Sequence, residues 1–156
     1  MKTVVTCIMV GLTATVAVVG AVTKDNVPPP TVDVEGKLVR VADVLKKRHG
    51  VTLDAASAKT LLAIEQKDGA FVPLLHTAGA RMLLGEKRLL GRTLRLTGRR
   101  YKGLDMLDVI ATRTVKDGVL HDVHYFCETC VISVYRPGRC PCCPDEVVLR
   151  EVPVVK

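Results

Sequence analysis

The sequence predicts a mainly β fold with short helices, built as a small five-stranded barrel followed by a C-terminal cysteine knuckle of zinc-ribbon character. Three observations carry that expectation. Apolar and polar residues alternate in runs of strand length, as in Thr93–Gly98, where Leu94 and Leu96 oppose Arg95 and Thr97. Asp-Gly pairs, a strong hairpin-turn signal, stand at Asp68-Gly69 and Asp117-Gly118. Five of the six cysteines fall between Cys127 and Cys143.

The 156 residues give room for one ordinary domain and a small appendage, and 48% hydrophobic with 25% charged residues is the balance of a globular chain. From Thr3 to Thr23 there is no charge, Lys2 precedes an apolar centre over Val4–Val19, and Val19-Gly20-Ala21 supplies small residues for cleavage. Residues 1–23 therefore read as a secretory signal peptide. The rival is an uncleaved N-terminal anchor, because about 20 apolar residues just span a bilayer. Cys7 lacks the small residues before it that lipid attachment needs. Export would place the chain in the periplasm, the cell envelope or outside the cell, with a membrane as partner only if the segment stays uncleaved. With Lys2 removed, 22 basic residues face 16 acidic ones, a net of +6. That balance favours acidic surfaces and speaks to association, not to fold.

Residues 24–30, ending in Pro28-Pro29-Pro30, read as a stiff extended linker. Thr31–Val41 has the period of a half-buried strand, with Gly36 expected as a bulge. Val41, Val44, Leu45 and Arg48 recur at helical spacing, and Gly50 stops that helix. Asp54 is placed to cap a turn through Ala55–Ala58. Leu61–Ile64 and Phe71–Leu75 read as two strands joined around Lys67-Asp68-Gly69. Thr77 is expected to cap a helix running through Met82 toward Leu89, stopped by Gly91. Leu107–Val115 and Val119–Phe126 read as strands joined at Asp117-Gly118, and Val131–Tyr135 as a short one. Residues 31–118 thus form the expected barrel and 119–156 the cysteine module. A helix between the third and fourth strands suits a five-stranded OB-like barrel. The segment Gly91-x-Thr-Leu-Arg-Leu-Thr-Gly98 with its following strand resembles the last two strands of bacterial OB-fold proteins.

Cys127-x2-Cys130 and Cys140-x2-Cys143 carry the chemistry. A tetrahedral zinc site needs four soft donors, and two C-x2-C knuckles on facing turns bring four thiolates to about 2.3 Å from one ion without a large core. The cofactor expected is zinc or another thiophilic metal ion. Two other readings remain open. An oxidising compartment favours disulfides, which would leave one of the five exported cysteines unpaired. Thiol redox chemistry would need a lowered thiol pKa, for which Arg136 and Arg139 supply nearby charge.

Tyr125-Phe-Cys127-x2-Cys130, then Pro137-Gly138-x-Cys140-Pro141-x-Cys143, then Val148-Leu149, resemble the short heavy-metal-binding module of bacterial metal-efflux proteins. The likeness covers about 25 of the 156 residues. It implies Cys127, Cys140 and Cys143 as ligands and puts Cys130 where that module has histidine. The chain departs from the pattern at Glu128-Thr129, where the module has Pro-Met, and at Pro144-Asp145, where it has Gly-Met. Pro144 has no N–H to offer a thiolate, so an irregular second knuckle is expected, with Cys142 competing with Cys143 for the fourth position.

No residue pattern forms a catalytic site. Asp105 and Asp108 have opposite strand parity and no partner base, and there is no phosphate-cradling loop, Ser elbow or His-Glu zinc motif. His121 and His124 fall on opposite strand faces, with His124 a candidate accessory ligand. His49 and His76 read as ordinary surface residues. The run Arg92, Arg95, Arg99, Arg100, Lys102 offers a basic face. The sequence therefore supports a non-enzymatic, exported metal-binding protein. Its alternative is an OB-type binding module that presents this face to an acidic polymer, protein or nucleic acid while its cysteines form disulfides. Nucleic acid is the least favoured partner, since only Tyr101 interleaves an aromatic ring with the basic run.

Overall fold

The computed structural model describes residues 28–155. The expected signal or anchor over residues 1–23, the first part of the linker, and Cys7 lie outside the described residues.

Strand β1 (Thr31–Arg40) runs into helix α1 (Val41–His49), which Gly50 closes in the left-handed conformation at φ 67°. Helix α2 (Ala55–Thr60) begins at Asp54, whose carboxylate accepts from the N–H groups of Ala56 and Ser57 at 2.9 and 3.0 Å. Strands β2 (Leu62–Glu65) and β3 (Phe71–Pro73) form the first expected hairpin, with Gly69 at φ 84°. Strands β4 (Thr93–Arg100) and β5 (Leu107–Lys116) follow, and β5 turns into β6 (Val119–Cys127) through Asp117 and Gly118. Both turn residues have positive φ, 49° and 77°, the requirement of a two-residue turn that matches strand twist.

These strands lie in one sheet of order β3-β2-β1-β4-β5-β6. Long β1 serves two neighbours, pairing Lys37–Arg40 with β2 and Thr31–Lys37 with β4. Gly36 is not a bulge, since its ladder with β4 runs without interruption. It is glycine because a Cβ there would lie 2.3 Å from the Glu65 carbonyl oxygen. The irregularity falls instead between Thr97 and Gly98, opposite Ile110 on β5. Beyond β3, Leu74 makes an isolated parallel bridge to Leu107, and the Leu75 N–H donates to the Leu107 carbonyl at 2.9 Å.

The helix expected from Thr77 is shorter and in two pieces. It spans α3 (Arg81–Gly85), and a single 3₁₀ turn (Lys87–Leu89) follows. Thr77 does not cap it; its hydroxyl donates to Asp108 at 2.8 Å. The break has a cause in Glu86, which takes an extended conformation so that its carboxylate can accept from the Arg88 backbone, the Arg88 guanidinium and the Tyr125 hydroxyl. Only four orphan donors start a helix, and here a single side chain serves the second start.

Alternation puts Leu94, Leu96, Leu107, Val109, Val123 and Tyr125 on the buried face, where they meet Leu38, Ile64, Leu83 and Leu89. The packed core thus crosses from β5 into β6 without a seam. Among the described residues, no helix is long and apolar enough to cross a membrane.

Candidate metal centre

The sheet divides at β6. Its first residues pair with β5 from Asp122 to Val119, and its last, Tyr125–Cys127, pair on the same edge with β7 (Ile132–Val134). Its other edge carries β8 (Val148–Pro153), in register from His121 against Pro153 to Phe126 against Val148. Strand β6 therefore delivers Cys127 at its end, directly beneath the core residue Tyr125. Cys127 is fully buried.

Two turns complete the site. After Cys127 the chain reverses through Cys130 and Val131, the latter left-handed at φ 54°, and the Cys130 N–H points at the Cys127 sulfur at 3.4 Å. After β7, Gly138 at φ 108° opens a second reversal, closed by the Cys140 N–H on the Asp145 carbonyl at 2.8 Å and the Val147 N–H on the Gly138 carbonyl at 3.0 Å. The Cys142 N–H points at the Cys140 sulfur at 3.4 Å. Each first cysteine of a pair thus receives backbone N–H groups from its own turn, which favours a thiolate there.

The structure brings Cys127, Cys130, Cys140 and Cys143 together, their four sulfurs all within 4.8 Å of one another. Cys127 and Cys143 lie 3.6 Å apart. A zinc ion bonded to four thiolates at about 2.3 Å places them at tetrahedron edges of about 3.8 Å, close to the Cys127–Cys143 separation and inside the spread of the whole group. All five described cysteines are free thiols. Cys142 is exposed and outside the group. The competition between Cys142 and Cys143 for the fourth position therefore has a geometric answer in Cys143.

Pro144 does not keep Cys143 out of the group. Cys143 keeps its place there although Pro144 has no N–H to offer it, and the turn is closed instead by the Cys140 N–H on the Asp145 carbonyl at 2.8 Å. The departures from the metal-efflux pattern also compensate one another. Thr129 donates its hydroxyl to Asp145 at 2.5 Å, clipping one knuckle to the other, and Glu128 pairs with Arg150, whose guanidinium lies 3.9 Å over the Phe126 ring.

Crowding four thiols separates their proton affinities. Backbone N–H groups of Cys142 and Cys143 bring the Cys140 thiol down to about 7. Hydrogen bonding with the Cys143 thiol, together with loss of solvent and the remaining sulfurs, pushes the Cys130 thiol far up. The Cys140 thiol therefore ionises more easily than the Cys130 thiol beside it.

The remaining candidates lie elsewhere. His121 faces the Val119 carbonyl at 3.2 Å, and His124 is on the outer sheet face beside a cleft of about 420 Å³ lined by Ile110, Arg113 and Tyr135. Neither joins the cysteine group. His49 and His76 are exposed. Asp105 pairs with Arg100, and Asp108 accepts from Thr77 and from the Tyr101 hydroxyl. The basic run is largely satisfied within the chain. Arg95 pairs with Glu35 at 2.7 Å, Arg100 with Asp105 at 3.6 Å, and Arg92 bonds Glu151 through both terminal nitrogens at 2.8 Å each.

Sequence reading missed β8 and the groups it carries. Glu151 accepts from Arg92, from the Thr114 hydroxyl at 2.5 Å and from Lys116 at 3.0 Å, and its carboxyl is drawn down to about 2, first by Arg92. These residues do not alternate, since an apolar pair is followed by a charged pair, so the available signal was the enrichment in β-branched Val147, Val148, Val152 and Val154. At the other end, Tyr125 donates to Glu86 at 3.0 Å, and Gly85 lies so close to Pro137 that a Cβ would come within 2.7 Å of its ring. The knuckle is seated on the body at both contacts.

No family model, curated protein or solved structure matches the chain.

Proposed function

We propose that the chain is a non-enzymatic, exported metal-binding protein in which Cys127, Cys130, Cys140 and Cys143 hold one zinc ion or another thiophilic ion. The observation that carries this reading is the gathering of four sulfurs within 4.8 Å of one another. Four protein thiolates fill a tetrahedral ion's coordination and leave no open position, which is the mark of a structural site. The metal's first task is then to staple the turn between β7 and β8 to the end of β6. The stretch from Tyr135 to Val147 contains no named strand or helix, and its own contacts are the Arg139–Glu146 bridge and the Thr129–Asp145 hydrogen bond. The metal-efflux module gives the nearest chemical precedent for the spacing.

The body fits an OB-like barrel, supported by the pairing of β1 with both β2 and β4 and by the parallel bridge from Leu74 to Leu107. Of its basic face, Arg92, Arg95 and Arg100 are paired inside the chain, which leaves exposed Arg99 and Lys102 as the part open to a polyanion. Export rests on the charge-free segment before Lys24.

Elemental analysis of protein purified without added metal, with a thiol count before and after chelation, tests the reading. One bound metal per chain and four thiols that become reactive only with chelator are expected. Protein that carries disulfides and no metal would sink it.

A further inference from the structure

The Glu151 carboxylate sits in a ready-made receptor. Arg92 approaches both of its oxygens side by side at 2.8 Å, while Thr114 and Lys116 reach one of them at 2.5 and 3.0 Å. All three donors belong to the body: Arg92 just before β4, Thr114 and Lys116 on β5. The acceptor belongs to β8, which among the described residues pairs with β6 alone. Thr114 is fully buried and the Glu151 side chain 15% exposed, so withdrawing the carboxylate would leave partly desolvated donors without an acceptor. A guanidinium fork, an ammonium and a hydroxyl converging on one planar group select a carboxylate.

Strand β8 reaches this position through the stretch from Tyr135 to Val147, which the cysteine cluster ties to β6. We propose that Arg92, Thr114 and Lys116 form a carboxylate-binding cradle, that Glu151 fills it as a built-in competitor, and that loss of the metal opens it to an acidic side chain of another protein. The opening step rests on the metal reading above; the cradle does not. With the ion in place, the entry to β8 is pinned and the competitor sits at high effective concentration. Without it, β8 is held by its ladder to β6 and by the cradle itself, and an external carboxylate competes on better terms.

The probe is a fluorescein-labelled octa-glutamate peptide, followed by anisotropy with the full chain under reducing conditions. Metal-loaded Glu151→Gln should bind it about tenfold more tightly than metal-loaded wild type, since an amide gives up the charge-assisted contacts that hold the competitor. Adding Arg92→Gln should return binding to the wild-type level. Chelated wild type should show a similar gain. If loaded, folded Glu151→Gln gains nothing, the cradle is refuted. Should that variant fail to fold by circular dichroism, Glu151→Asp, too short by one methylene to reach all three donors, takes its place under the same criterion. A gain in Glu151→Gln but none on chelation overturns control by the metal. Equal gains for an octa-glutamine peptide or for oligodeoxythymidylate overturn the carboxylate assignment. A chain that takes up no metal defeats the proposed function, while the Glu151→Gln comparison still decides the cradle.

Discussion

Replacing Cys143 with serine, alongside Cys142→Ser, separates two neighbours that the sequence could not tell apart. The sulfur of Cys143 lies 3.6 Å from that of Cys127 within the cluster, and Cys142 is exposed outside it. A structural site of four thiolates binds zinc with about 10–16 kcal/mol at neutral pH, so an even share is about 3 kcal/mol for each ligand. Exchanging one thiolate for a weakly coordinating hydroxyl should weaken zinc by about a hundredfold, while Cys142→Ser should stay within about twofold of wild type. Competition against a chromophoric zinc chelator at pH 7.5, with thiols kept reduced, reads both. Comparable losses in the two variants, or a greater loss in Cys142→Ser, would refute the assignment and with it the geometry of the second turn.

Acid should release the metal steeply. The ion must displace protons from the cluster, and each displaced proton costs about tenfold in affinity per pH unit. With Cys140 giving up its proton near 7 and Cys130 holding its own far higher, lowering pH from 7 to 6 should weaken binding by about a hundredfold or more; a flat profile would argue against thiolate ligands. Glu86 predicts a separate acid limb in the metal-free protein. The Arg88 guanidinium holds its carboxyl at about 2 instead of 4.5, so the stability it contributes is complete above pH 4.5 and disappears as pH falls toward 2. Because Arg88 is exposed, that contribution is about 2 kcal/mol, and urea titrations of Glu86→Gln should show a flatter limb. Tyr125→Phe removes a buried donor from that charged carboxylate and should cost about 1.5–3 kcal/mol in urea unfolding. Gly36→Ala drives a methyl group into the Glu65 carbonyl and should cost about 3 kcal/mol, read as a lowered midpoint in thermal melts.

Local chemistry was the legible part of this chain. The Asp54 cap, the left-handed stop at Gly50 and the two Asp-Gly turns each depend on residues within a few positions, and all stand where the sequence puts them. The four cysteines could be grouped because their spacing alone limits where the sulfurs go. What escaped were interactions between distant residues. Thr77 has the chemistry of a helix cap, yet Asp108, 31 positions away, takes its hydroxyl. Glu86 reads as a helical residue until Arg88 and Tyr125 are seen to require its extended backbone. Glu151 looks like a surface residue of a short tail, and only the pairing of β8 with β6 brings it to Arg92. The status of Cys142 was likewise undecidable from spacing, since it depends on how the turn from Gly138 to Val147 closes.

The two-residue turn at Asp117-Gly118 bears on the order in which this molecule assembles. Lys116 and Val119 pair across that turn, whereas Thr31 finds Arg99 only after most of the body has been brought together. Closing a short loop costs little chain entropy, and hairpins of this kind form in about 1–10 μs. The β5–β6 hairpin is therefore an early unit whose ladder ends at Asp122, and Cys127 lies beyond it, where β6 turns back on β7. The Cys127–Cys130 turn between β6 and β7 is equally local, whereas Cys140 and Cys143 reach it only through the longer turn that follows β7. Gathering the four sulfurs therefore closes a loop between two separately formed turns, and that closure comes after both of them.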